Sequence, residues 1–179
     1  MRQFVDRFER SFDIYLKTSG FLLNWIALLM FCVMLGANSY NIFTRSVFER
    51  GTMWHQEISI MAAFWIYFAA YGLLSKEDGF IRVEFVVDQF PLRVRRWNNN
   101  LVRLIIIVFH VSLLVISINT YKMVSYFETQ YLEWPEFIIY IPLTVGTFDI
   151  VVTETIYLLR SLAYPDRPPV IAPPPPIAG

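Results

Sequence analysis

Apolar residues in this chain gather into four long runs, and the short stretches between them collect most of the charge. The sharpest run is Ile58–Leu74, in which Ser59 is the one strongly polar side chain. A helix of that length extends about 26 Å, close to the ~30 Å hydrocarbon thickness of a bilayer. The other runs cover about 21–43, 101–121 and 137–159. Uncharged runs of this length exceed what the helices of a soluble core need. The pattern predicts an all-α integral membrane protein with four transmembrane helices.

Two flanking segments carry a different rhythm. Residues 1–17 place Phe4, Phe8, Phe12 and Tyr15 on one helical face and fill the rest largely with charge, which predicts an amphipathic helix lying in the membrane interface. Ser75–Asn100 is rich in arginine, and its apolar residues keep no single period. It predicts a second interfacial helix, broken near Pro91. A short acidic, aromatic loop with Glu128, Glu133, Trp134, Pro135 and Glu136 separates spans three and four. The expected organisation is one membrane domain over 1–164 and a disordered, proline-rich tail over 165–179.

Composition agrees with a membrane protein: 56% of the residues are apolar and the mean hydropathy is positive. Basic and acidic residues balance at 15 each, so net charge implies no nucleic-acid partner. Cys32 stands alone, which leaves no disulfide framework or zinc cluster to read. Of the basic residues, Arg45, Arg50 and Lys122 fall on one side of the predicted spans and the others on the opposite side. The basic-side rule then puts both termini in the cytoplasm.

Candidate chemistry is sparse. In span two, Ala62, Ala63, Ala69 and Ala70 fall on one side of the helix, with Phe64, Trp65, Tyr67, Phe68 and Tyr71 on the other. Small residues let a neighbouring helix approach closely, so the aromatic arc is expected to face lipid or a second protein. Asn38, Asn41 and Arg45 share a face at the end of span one. The asparagines are expected to cross-link helices, and Arg45 to snorkel, to pair with Glu49 or Glu57, or to bind an anion. Ionisable groups at membrane depth need an explanation. His110 and Asp149 fall at roughly 14 Å and 18 Å from opposite faces, nearly the same level, and are expected to hydrogen-bond as structural glue or as part of a proton relay. Glu154 is expected to reach the interface. Pro142, Gly146, Asp149 and Thr153 share one face of span four. The only histidines, His55 and His110, fall at different depths, against a bis-histidine haem. No phosphate loop, nucleophile elbow or metal-ligand cluster is present, so no cofactor or enzymatic activity is expected.

Asn41 and Arg45, Phe48, Trp54 and Glu57, Trp65, Lys76, Gly79, then Ile81, Val83 and Glu84, then Pro91 and Arg95 follow a recognisable order. With the run Ile141–Gly146, that order resembles the small membrane subunit (DctQ-like) of tripartite ATP-independent periplasmic (TRAP) transporters, over about residues 20–160. Phe80 stands where the family often has His, Glu84 where it usually has Asp, and Ala69 where Gly is frequent. The resemblance implies a small permease subunit in a bacterial inner membrane. It would brace a large, elevator-type subunit that binds sodium and substrate, typically an organic acid delivered by a periplasmic binding protein. The partner surface would lie on spans one and two, at Asn41, Arg45, Trp54, Glu57, Phe64, Trp65, Phe68 and Tyr71. The contrasting class is a four-helix membrane cytochrome or quinone-handling redox subunit.

Overall fold

A computed structural model describes residues 2–76 and 91–163, apart from the side chains of 2–9, 92, 93, 95 and 96. It contains four long helices: α1 (Arg2–Phe48), α2 (Trp54–Lys76), α3 (Leu92–Val124) and α4 (Ile141–Ala163). A 3-10 turn, Glu136–Tyr140, leads into α4. Each helix, α4 together with its 3-10 turn, is long and apolar enough to cross a membrane.

Local chemistry sets the boundaries. The α1 helix ends where Glu49 adopts a left-handed φ of 54°, a conformation that closes helices by turning the chain back. The short 49–53 turn then makes α1 and α2 an antiparallel hairpin. Pro91 precedes α3 with φ −59°, and its missing N–H costs nothing there because the first helical turn has no intrahelical acceptor. Pro142 stands as the second residue of α4, where the 3-10 turn passes into the α-helix.

Two expected interfacial helices read differently here. The N-terminal amphipathic segment is not separated from span one, because α1 runs unbroken through both. No proline interrupts it, and Ser19 Oγ donates back to the Tyr15 carbonyl at 2.7 Å within the turn where a break was expected. Phe12 and Tyr15 are half-buried, while the side chains of Phe4 and Phe8 lie outside the described residues. The basic stretch from Leu92 to Asn100 is likewise the first part of α3. The rest of that second segment, 77–90, and the tail expected from 165 lie outside the described residues.

The helices run up and down. Asp13 of α1 pairs with Arg160 of α4 at 2.6 Å, bringing the start of one and the end of the other together. Lys76 at the end of α2 and Arg103 near the start of α3 meet α4 side chains at that same end. The α2 helix packs between α1 and α4, and α3 packs on α4.

What is buried marks the surrounding solvent. Arg103, His110, Ser117, Ser75, Thr147, Asp149, Thr153 and Glu154 are buried, whereas Phe21, Trp25, Leu28, Leu29, Ile105, Val108 and Phe109 are about half exposed. Polar groups inside and large apolar ones outside would be costly in water and are favourable in lipid. The protein is a membrane protein.

Close backbone approach supplies the remaining packing. A Cβ at Gly72 would lie 2.9 Å from Leu23 Cδ1 and 3.2 Å from Asp149 Oδ2, where α1, α2 and α4 meet. At Gly146 it would lie 2.7 Å from Phe68 Cβ. Because Phe68 Cβ is fixed to its backbone, α2 and α4 would have to separate. Gly146→Ala should therefore destabilise the bundle by roughly 1–3 kcal/mol, the usual cost of overpacking, measured as a lower thermal midpoint in detergent. Made in a Phe68→Gly background, which removes the clashing Cβ, the same change should cost distinctly less.

Candidate functional site

Three sets of polar side chains hold the helices, one at each end and one between. At the end where Asp13 meets Arg160, Asp149 accepts a hydrogen bond from Tyr15 Oη at 2.8 Å and pairs with Lys76 Nζ. Five residues further along α4, Glu154 pairs with Arg103 at 2.8 Å and accepts from Ser75 Oγ at 2.9 Å. The Arg103 guanidinium lies 4.9 Å from the Tyr157 ring centroid. Tyr157 Oη donates to the Lys76 carbonyl at 2.5 Å, satisfying an acceptor left open at the end of a helix. The described charges here are paired across helices, and four of the side chains come from α4.

The sequence expectation for this region is overturned in two respects. His110 and Asp149 do not bond to each other. His110 Nδ1 bonds the Ile106 carbonyl at 2.8 Å, and its ring stacks on Tyr71 with centroids 5.6 Å apart. Asp149 is claimed instead by Lys76, whose long stem reaches inward from the end of α2. Glu154 does not reach an interface either, being 1% exposed. Sequence reasoning missed Tyr15, Lys76 and Arg103. A signal existed for Arg103: it stands seven residues before His110 and fourteen before Ser117, and all are buried on one face of α3.

Further along the bundle Ser117 meets Thr144 at 2.5 Å, and Tyr121 Oη also bonds Thr144. The opposite end is closed by capping. Asn41 Oδ1 accepts from Thr52 N at 2.9 Å and from Thr52 Oγ1 at 3.1 Å, and its amide faces His55 Nε2 at 3.3 Å. Asn38 donates to Ser59 at 2.9 Å, so both asparagines join α1 to α2 or its leading turn. Glu57 accepts from the backbone N–H groups of Tyr131 and Leu132 at 2.8 and 2.9 Å. It thereby holds the loop before α4 onto the start of α2. That loop is folded on itself, with Thr129 N donating to Trp134 O at 2.7 Å.

The eight residues expected at a partner surface are divided among different roles. Asn41 and Glu57 are internal caps. Trp54 is half-buried against Tyr40, with ring centroids 5.6 Å apart. Arg45 is exposed, and no ion pair joins it to Glu49 or Glu57. The aromatic arc is split: Phe68 meets Gly146, Tyr71 stacks on His110, and both are half-buried, as is Trp65. Phe64 and Tyr67 are the arc members that stay exposed. The alanines are split as well. Ala62 and Ala69 are buried, whereas Ala63 and Ala70 are exposed. These two line an open apolar groove of about 550 Å³ with Met34, Ile66, Tyr67, Tyr71 and Leu74. Burial decided which half of the stripe faces inward, because Gly72 and Ser75 continue the Ala62–Ala69 side.

A bundle whose described interior charges pair across its own helices, and which keeps an apolar groove open on one side, defines a multi-span membrane protein. Residues 34–163 match the model of the tripartite ATP-independent periplasmic transporter family, DctQ component, and the chain belongs to that family. It is thus a TRAP transporter small permease subunit and works with the other subunits of such a transporter. The assignment does not favour a membrane cytochrome. Comparison with curated proteins gives no match.

Glu57→Ala should free the Tyr131 and Leu132 amides without unfolding the helices. Loss of a charged acceptor predicts on the order of tenfold faster hydrogen exchange at those two amides, with protection in α4 unchanged.

Proposed function

We propose that this small permease subunit braces the large membrane subunit of a sodium-coupled, elevator-type transporter during uptake of an organic acid. A periplasmic binding protein delivers the acid, and the complex sits in a bacterial inner membrane. Both termini face the cytoplasm, the side to which most basic residues fall. Sodium and substrate bind to the large subunit, and this chain carries neither a cofactor nor a catalytic group.

One observation carries the reading. The interior charges of the bundle neutralise one another across helices, which makes it a rigid body, while Ala63, Ala70 and their neighbours leave an apolar groove open at membrane depth. Rigidity is what a brace needs, because a moving domain pushes against its fixed neighbour. Two small residues seven apart on one helical face give room for a crossing helix, and Phe64 and Tyr67 stand beside them as exposed apolar contacts. The large subunit is placed against this face.

Filling the groove tests the placement. Ala63→Leu with Ala70→Leu adds bulk at exposed positions, so the subunit itself should keep its thermal midpoint. At a packed interface the same bulk costs roughly 1–3 kcal/mol, about a tenfold weaker association. Co-purification of the large subunit in mild detergent should fall accordingly, and substrate uptake with it. Undiminished recovery of the large subunit would remove the interface from this face.

A further inference from the structure

We propose that α4 is a conditional membrane helix, stably integrated only when Lys76 of α2 and Arg103 of α3 are in place to neutralise its two buried carboxylates. Among the four spans, α4 has the least apolar stretch and the largest share of it buried inside the bundle. Its Asp149 and Glu154 lie five residues apart, and neither reaches water: Asp149 is 6% exposed and Glu154 is 1% exposed. An unpaired carboxylate in a lipid-facing helix opposes insertion strongly.

Each acid takes its cation from a different helix. Lys76 ends α2 and bonds Asp149, while Arg103, early in α3, bonds Glu154 at 2.8 Å. The two sites are also tied together. Ser75, next to Lys76, donates to Glu154 at 2.9 Å, and Tyr157 of α4 both receives Arg103 over its ring and donates to the Lys76 carbonyl. The end of α2 and the start of α3 therefore form one receptor, and α4 is the element that enters it. Among the described residues each of the two carboxylates pairs with one cation, which argues for a lock rather than a cation site. The order of assembly follows: α2 and α3 must stand in the membrane before α4 is secure, so a chain that misplaces either helix leaves its last helix outside.

The test uses the full chain in bacterial membranes with a reporter fused after Gly179 whose signal depends on the side it occupies. In the unaltered protein the C-terminus lies on the same side as the N-terminus. Lys76→Met with Arg103→Met should raise the opposite-side signal several-fold, because a chain held by three spans ends on the other face. A fall in yield alone would not do this. Restoring neutrality by adding Asp149→Asn and Glu154→Gln should return the reporter to its original side. An unchanged reporter in the two-site methionine variant would overturn the proposal. So would failure of the four-site neutral variant to recover, since charge would then not be what α4 requires.

Discussion

The neutralisation of Asp149 and Glu154 inside the bundle is the constraint around which the structure is arranged. Two carboxylates on one membrane helix cannot be left to lipid, and each finds a cation contributed by a neighbouring helix. Tyr15 adds a hydrogen bond from α1, so Asp149 alone connects three helices. A buried ion pair is not necessarily stabilising against an apolar alternative, but breaking one partner away is expensive. Such pairs therefore fix which helices are neighbours and in what register, even where their net energy is small.

Close packing completes what the charges begin. Gly72 and Gly146 leave no room for a Cβ, so α1 and α4 approach α2 to side-chain contact at those points. In a membrane there is no hydrophobic drive between helices, and this van der Waals contact takes its place. The outer end is closed differently, by Asn41 capping the α1–α2 turn and Glu57 holding the loop before α4. The bundle is thus tied at both ends and along its middle.

That construction suits the bracing role proposed for this subunit. The described interior charges pair with other parts of the same chain, and its open groove is apolar. Membership of the DctQ component family gives this architecture its context: a small permease subunit within a transporter whose other subunits complete it.

Four spans, an all-helical fold and the family were legible in the sequence, because a membrane crossing needs a long uncharged run and the run itself carries that information. That Asn38 links two helices was legible too, since a short turn places the end of span one beside the start of span two. Asn41, also expected at a partner surface, instead caps the turn internally. The partners of the buried charges were not. His110 and Asp149 fall at similar depth by counting residues, but counting gives height along the membrane and not direction around each helix. Lys76 reaches Asp149 through a flexible stem that no spacing rule reveals. The alanine stripe was visible as a stripe, yet only the packed positions of α1 and α4 settled that Ala62 and Ala69 face in while Ala63 and Ala70 face out. Helix existence is a local property of the chain. Helix rotation is fixed by contacts between residues distant in sequence, and so the tertiary structure alone decided it.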